Sequence, residues 1–210
     1  MDVSNLSLSL DDFKNLYEQG LPVIDTRSAE KLTYGYIKES ITIPASKDLD
    51  MWLDHLIGHD QPFLLIEEYE NLENTLQYLS ENTIHNIKGF LRVGIEGWIK
   101  AEEPMDMLIS IDNEELLLDY KYDTDLKLID VRTKEEYEKG HLKNAINLPM
   151  SEFTTHLSYF SISDKLYVYS QYGEDSIIAI SLLRKHGFYH CRNIETGFAN
   201  LEDTEMPVVQ

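Results

Sequence analysis

Short apolar runs recur along the chain and are separated by amphipathic segments. The runs Leu21–Ile24 and Leu126–Ile129 each lead into an Asp-x-Arg sequence. Two further runs lie at Phe63–Ile66 and Leu166–Tyr169. Continuous apolar runs of this length are typical of strands that are buried on both faces. They therefore predict strands of a parallel sheet that has both faces covered.

The segments between these runs carry helical patterns. Asn74–Ser80 and Ser176–Lys185 place apolar residues on one helical face, and Gly187 follows a basic pair as a helix stop. Each region ends in another predicted strand, Asn86–Phe90 or Cys191–Ile194. Because strands alternate with helices, we predict an α/β fold with mainly parallel sheets that are flanked by helices.

The pattern occurs twice along the chain. The same number of residues separates the members of three matching pairs, Asp25 and Asp130, Gly35 and Gly140, and Pro44 and Pro149. A repeat of this kind indicates duplication of a whole folding unit. We therefore predict two domains, residues 1–105 and 106–210, with a linker near Glu102–Ser110 where Pro104 interrupts the pattern.

Composition narrows the possible partners and the cellular location. The chain has 210 residues, with 38 acidic against 18 basic side chains and a net charge of −20. A surface this negative repels nucleic acid and anionic lipid, so neither is expected as a partner. The amino terminus has no signal-peptide pattern, and no apolar run could span a bilayer. Cys191 is the single cysteine, and we expect a cytoplasmic location.

The second half resembles the rhodanese family. The resemblance rests on Leu128–Arg132, Gly140–Pro149, Leu166–Tyr169, the loop from Ser170 to Ser176, and Asn193–Phe198. It implies two rhodanese-like domains, each with a mainly parallel sheet flanked by helices.

The first half is similar to the same family, but more loosely, through Asp25–Arg27, Ile43-Pro44 and Gly94–Trp98. The tandem arrangement is similar to the rhodanese pair that follows a metallo-β-lactamase-like domain in bacterial persulfide-oxidising enzymes. The chain has no His-x-His-x-Asp-His sequence, and we expect neither a metal nor a cofactor.

The resemblance implies a mechanism of sulfur transfer. In the family, a cysteine at the end of a strand begins a loop that reads Cys-x-x-Gly-x-Arg-Ser, and backbone N–H groups of this loop form an anion nest at a helix N-terminus. The thiolate accepts a sulfane sulfur as a persulfide and passes it on.

The second half departs from this motif at the residues that carry the chemistry. Its loop consists of Ser170, Gln171, Tyr172, Gly173, Glu174, Asp175 and Ser176. Ser170 stands at the cysteine position and Asp175 at the arginine position, with Glu174 beside it. A serine hydroxyl cannot hold a stable persulfide, and the two carboxylates repel an anionic donor. Two unit charges about 4 Å apart interact by about 4 kcal/mol at an effective dielectric of about 20. We therefore expect no intact catalytic residue and loss of sulfur transfer.

The loop of the first half is further degraded. Glu67–Glu73 contains neither cysteine nor glycine, and four carboxylates replace the anion nest.

We expect Asp130, Arg132 and His141 to support the loop of the second half, with the Asp-x-Arg pairs forming structural hydrogen bonds and ion pairs. Ser170 as a hydrolytic nucleophile would need a base, which the loop does not supply.

Three functions remain open from the sequence. The first is a catalytically inactive tandem rhodanese-like protein that binds an unknown protein partner or a small sulfur-containing ligand, or that serves as a scaffold in sulfur or persulfide metabolism. The second is a sulfurtransferase that uses Cys191 as an atypical thiol. The third is a protein–protein interaction module unrelated to sulfur. We favour the first.

Overall fold

Strands and helices alternate in the computed structural model, which describes residues 3–45, 48–82, 86–201 and 204–210. Contacts between residues divide the chain into two units, one up to Met107 and one from Leu108. The strands of the first unit are β1 (Ser7–Leu8), β2 (Val23–Asp25), β3 (Tyr36–Ile37), β4 (Ile41–Thr42), β5 (Phe63–Ile66), β6 (Ile87–Leu91) and β7 (Met105–Asp106). Its helices are α1 (Leu10–Glu18), α2 (Ala29–Thr33), α3 (Leu49–Ile57), α4 (Tyr69–Glu81) and α5 (Gly94–Lys100), with a 3₁₀ turn at Val3–Leu6.

The second unit repeats most of this order. Its strands are β8 (Ser110–Ile111), β9 (Leu126–Asp130), β10 (His141–Leu142), β11 (Ile146–Asn147), β12 (Lys165–Tyr169), β13 (Cys191–Ile194) and β14 (Val208–Val209). Its helices are α6 (Asn113–Tyr122), α7 (Lys134–Lys139) and α8 (Glu174–Lys185), with 3₁₀ turns at Met150–Thr155, Leu157–Tyr159 and Phe198–Asn200.

Each unit is built on one parallel sheet. The strand order is β1-β6-β5-β2-β4 in the first unit and β8-β13-β12-β9-β11 in the second. All pairs within these two sheets are parallel. A small antiparallel pair stands beside each sheet, β3 with β7 and β10 with β14. The predicted α/β fold of two domains, each with a mainly parallel sheet flanked by helices, is therefore confirmed.

The cores follow from the apolar strands. Every residue of β2 and β5 is buried, as a central parallel strand requires. In the first unit Trp98 lies edge-on to Phe13, with ring centroids 6.0 Å apart. In the second unit α8 is buried from Ser176 to Arg184, and each large apolar side chain on it stabilises the fold by roughly 1.5–3 kcal/mol.

The observed elements overlap the predicted ones, but β2 and β6 begin and end one or two residues later than predicted. β5 and β13 have the predicted bounds, and Gly187 follows α8 with φ +89°, in the left-handed region that ends many helices. The helices α1 and α6 were not predicted, although each has a capping signal. Ser9 accepts a hydrogen bond from the N–H of Asp12, and Asp112 caps α6 in a similar way.

Candidate functional site

The two sheets place their functional loops in the same way. In the second domain Tyr169, the last residue of β12, is paired in register with Asp130, the last residue of β9. The carboxyl ends of these parallel strands therefore lie side by side. The loop that follows Tyr169 is held against the Asp130-Val131-Arg132 segment, where the N–H of Val131 donates to the carbonyl of Tyr169 at 3.0 Å.

Ser170 lies at the bottom of this loop and is only 2 % exposed. Its Oγ accepts a hydrogen bond from the backbone N–H of Gly173 at 3.0 Å. The Oγ of Ser176 lies 3.5 Å from that of Ser170 and 2.7 Å from Oδ1 of Asn193. The loop thus directs the backbone N–H of Gly173 at the side-chain oxygen of its first residue.

Two glycines allow the loop to take this shape. Gly173 has φ +90°, and a Cβ at this position would lie 2.2 Å from the carbonyl oxygen of Glu195. A Cβ on Gly197, which has φ +63°, would lie 2.6 Å from the carbonyl oxygen of Gln171. The loop and the turn after β13 therefore pack backbone against backbone, and the N–H of Phe198 donates to the carbonyl of Ser170 at 2.8 Å. Side chains at either glycine would force these segments apart.

Arg132 joins the loop to the rest of the site. Its Nη2 lies 2.6 Å from Oδ2 of Asp130 and donates to the carbonyl of Gly140 at 2.8 Å. Its Nη1 donates to Oε1 of Gln171 at 3.2 Å, and the guanidinium lies 3.7 Å from the ring centroid of Phe198. Burial is the largest single influence and disfavours the charged guanidinium, but the hydrogen bonds to Asp130 and the negative charges around it together raise the pKa of Arg132. The side chain of Arg132 thus links Asp130 at the end of β9, the turn at Gly140 and the loop at Gln171. We call this Asp-x-Arg arrangement the brace.

The mouth of the loop is a shallow cleft of about 390 Å³, lined by Arg132, Lys139, Gln171, Tyr172 and Phe198 among others. Ser170 is not among its lining residues. Glu174 and Asp175 begin α8, where their charges favour the helix but oppose a second anion. The structure thus places Gln171, Tyr172 and Arg132 at the cleft and Ser170 beneath it.

His141 lies on β10, one residue beyond Gly140. Its ring stacks on Tyr137 with centroids 3.7 Å apart, and its Nδ1 lies 2.9 Å from the carbonyl of Tyr137. These contacts fix the turn whose carbonyl at Gly140 accepts from Arg132. Any support that His141 gives to the loop therefore passes through this turn.

The first domain contains the same brace. Arg27 donates from Nε to Oδ1 of Asp25 at 2.9 Å, from Nη2 to Oδ2 at 2.7 Å, and from Nη2 to the carbonyl of Gly35 at 2.8 Å. Burial raises the pKa of the Asp25 carboxyl, and the hydrogen bonds from Arg27 oppose that rise.

The loop of the first domain is shorter than the sequence indicated. β5 ends at Ile66 and α4 begins at Tyr69, so only Glu67 and Glu68 lie between them. The equivalent segment of the second domain, between β12 and α8, runs from Ser170 to Gly173. The interpretation of Glu67–Glu73 as one loop of four carboxylates was wrong, because Glu70 and Glu73 belong to α4. The apolar spacing of Leu72, Leu76 and Leu79 could have shown where the helix begins.

Glu67 occupies the position that corresponds to Ser170. Its Oε2 accepts hydrogen bonds from the hydroxyls of Thr26 at 2.8 Å and Thr75 at 2.9 Å. Its Oε1 accepts from the N–H of Glu68 at 2.7 Å. The carboxylate thus places a negative charge of the chain itself where the second domain has the hydroxyl of Ser170. We call the set of groups that surrounds this position in each domain its cradle.

Cys191 lies at the amino-terminal ends of the strands, whereas the loop follows their carboxyl ends. It begins β13 and is paired in register with Leu166, near the start of β12, whereas Ser170 follows the end of β12. Four residues of strand correspond to about 13 Å. The thiol is 1 % exposed and lies 3.2 Å from the carbonyl of Phe188.

The described residues form neither a helix that could span a membrane nor a cluster that could hold a metal ion. None of the helices there is both long and apolar enough to cross a bilayer. Within the same ranges, no group of three or more His, Cys, Asp and Glu side chains is arranged to hold a metal ion.

The comparison with known families agrees with both domains. The family model for the rhodanese-like domain matches residues 9–101 and again 113–204. The chain therefore belongs to the rhodanese family, with two copies of the domain in tandem.

The chain is also similar to individual proteins and to solved structures. It is 28% identical over 181 residues to YrkF of Bacillus subtilis, named provisionally as a sulfur carrier protein, covering 84% of this chain and 86% of that one. It is 33% identical over 85 residues to the thiosulfate sulfurtransferase PspE of Escherichia coli, covering 39% of this chain and 77% of that one. Among solved structures, the rhodanese-like domain of an Anabaena protein superposes with a TM-score of 0.46 at 26% identity, covering 49% of this chain and 80% of that one.

Proposed function

We propose that this chain is a tandem rhodanese-family protein that does not transfer sulfur and that acts by binding a partner in sulfur or persulfide metabolism. The partner is a protein or a small sulfur-containing compound. The cytoplasmic location and the relation to persulfide-oxidising fusions remain predictions from the sequence.

The observation that carries the proposal is the content of the two cradles. In the second domain the cradle holds the hydroxyl of Ser170, which accepts a hydrogen bond from the N–H of Gly173. In the first it holds the carboxylate of Glu67, which accepts from Thr26, Thr75 and Glu68. Neither group can form a persulfide, because that bond requires a thiolate sulfur.

The relatives support the connection with sulfur. The name given to YrkF is provisionally that of a sulfur carrier protein, and its match covers most of this chain and most of YrkF. A binding role fits this context, since both domains keep the fold and the Asp-x-Arg brace while the reactive group is replaced.

The position of Cys191 disfavours the alternative of an atypical thiol. A sulfur carrier needs an exposed thiolate, whereas this thiol is buried. A protein–protein interaction module unrelated to sulfur would have the same inert loops and would differ only in its partner.

The test is a thiosulfate:cyanide sulfurtransferase assay on the purified chain, with an active rhodanese as positive control. We expect no thiocyanate above the buffer rate. A Cys191→Ala variant is the matched control, because Cys191 is the single cysteine. Turnover that is lost in this variant would establish the atypical thiol, and turnover that survives in it would contradict the assignment of both loops as inert.

A further inference from the structure

A cleft of about 450 Å³ opens at the degenerate loop of the first domain. Arg27 lies at one side of it, and Leu72, Phe90 and Ile95 supply apolar surface. This volume is in the range of sites that hold small molecules or a few residues of a peptide. The shortened loop helps to explain the opening, since Glu67 and Glu68 are the only residues between β5 and α4.

Arg27 presents an unused donor to this cleft. Its Nε and Nη2 are bonded to Asp25 and Gly35, but no described residue accepts a hydrogen bond from its Nη1. The side chain is 4 % exposed and is held rigidly by these bonds. Nη1 is therefore a donor on a fixed side chain that an acceptor in the cleft can reach.

The second domain shows which acceptor this position takes. There Nη1 of Arg132 donates to the carboxamide oxygen of Gln171 at 3.2 Å. In the first domain the residue that follows Glu67 is Glu68, and its carboxylate pairs with Lys31 at 3.0 Å. An external group that places a carboxamide oxygen on Arg27 would restore the same contact.

Charge favours a neutral acceptor over an anionic one. The guanidinium of Arg27 is already paired with the buried carboxylate of Asp25. The lining of the cleft includes four glutamates against three basic side chains, and the chain carries a net charge of −20. A carboxylate ligand would be repelled by this field, whereas a carboxamide would not.

The rim indicates a polypeptide. Tyr34 and Tyr69 are 75 % and 87 % exposed, and the side chains of Val93 and Ile99 beside the cleft are also exposed. Aromatic side chains are enriched where proteins meet, and exposed apolar groups clustered around a cleft mark interaction sites.

We infer that the cleft of the first domain binds a segment of a partner protein that inserts a glutamine or asparagine, with its carboxamide oxygen on Nη1 of Arg27. Apolar neighbours of that residue pack on the floor and rim. The inference rests on the proposed binding function and gives it a site and a recognition chemistry.

The test is a titration of the ¹⁵N-labelled full chain with three blocked tripeptides, Leu-Gln-Leu, Leu-Glu-Leu and Leu-Leu-Leu. We expect the glutamine peptide to bind with a dissociation constant on the order of 1 mM. It should shift the backbone amide signals of Tyr34 and Tyr69 and the side-chain Nε signal of Arg27. The other two peptides should bind at least about fivefold more weakly, the size expected for one hydrogen bond.

Equal or tighter binding of the glutamate peptide would overturn the carboxamide assignment. The absence of shifts at the cleft up to about 10 mM peptide would overturn the site. Tyr69→Ala should weaken binding at least about threefold, and Tyr159→Ala, which removes another largely exposed ring in the second domain, should not. Equal losses in both variants would contradict the location.

The outcome is separate from that of the sulfur-transfer assay. Sulfur-transfer activity would contradict the proposed function but would leave peptide binding to be judged by its own shifts. A silent titration would remove this site and leave the prediction of inert loops unchanged.

Discussion

The backbone N–H of Gly173 donates to the Oγ of Ser170 at 3.0 Å. The loop of the second domain therefore still directs a backbone donor at the atom that stands where the family has its sulfur. The reactive atom has been replaced while part of the cradle persists. This separates two defects, a missing nucleophile and an unfavourable charge, which can be tested one at a time.

Ser170→Cys alone should gain little sulfur-transfer activity. Glu174 and Asp175 in the first turn of α8 should raise the pKa of the new thiol and repel an anionic donor. Adding Glu174→Gly and Asp175→Arg should lower that pKa and speed persulfide formation at least about tenfold, a change of about 1.4 kcal/mol. The measurements are thiolate absorbance against pH and the rate of persulfide formation.

Both variants should be made in a Cys191→Ala background, so that the new thiol is the single one in the chain. If the single variant is as fast as the triple variant, the charge argument is wrong. If neither forms a persulfide, the loop has lost the shape that stabilises a thiolate.

Gly173→Ala should destabilise the second domain far more than Gly187→Ala. Both glycines have φ near +90°, but a Cβ on Gly173 meets the carbonyl oxygen of Glu195 at 2.2 Å, whereas nothing lies within 4 Å of one on Gly187. We expect a loss in the free energy of unfolding of about 1 kcal/mol for Gly187→Ala and at least about 3 kcal/mol for Gly173→Ala. Urea denaturation measures both, and equal losses would show that the loop can move away from Glu195.

Glu67→Gln should lower the free energy of unfolding by about 1.5 kcal/mol. The substitution replaces a carboxylate that accepts from two hydroxyls and one backbone N–H by a group with one acceptor oxygen. Glu68→Gln is the matched control, because it breaks only the more exposed ion pair with Lys31 and should cost at most about 0.5 kcal/mol. A neutral Glu67→Gln variant would contradict the structural role of this carboxylate.

Gln171→Ala should leave Nη1 of Arg132 without its acceptor. We expect a loss of about 1 kcal/mol in the free energy of unfolding, because the donor is buried. Tyr172→Ala changes the next residue, which is largely exposed, and should stay within about 0.5 kcal/mol of the unchanged chain. Thermal or urea denaturation of the two variants measures the difference, and equal losses would argue against the brace.

The repeated pattern was enough to predict the fold. Each apolar run ending in Asp-x-Arg became a central strand, because strands buried on both faces leave a strong apolar signal. The two-residue edge strands β1 and β8 left no such signal, since two residues cannot show an alternation. Their positions depend on pairing with β6 and β13, which are distant in sequence.

The candidate site was only partly predictable. The cysteine-to-serine replacement is visible in the sequence, but the length of the first loop is not, because it depends on where α4 begins. The sequence placed Asp25 with Arg27, yet it could not show that the shortened loop leaves Nη1 of Arg27 without a described acceptor. That difference arises from three-dimensional packing, because the carboxylate of Glu68, the residue after Glu67, pairs with Lys31.

The most direct test of the central claim is the intact mass of the protein after incubation with thiosulfate and, separately, with a low-molecular-weight persulfide. Because Ser170 and Glu67 occupy the two cradles and Cys191 is buried, the account predicts an unchanged mass. A gain equal to one sulfur atom, retained after removal of the donor and absent from a Cys191→Ala variant, would contradict it and identify the chain as a sulfur carrier.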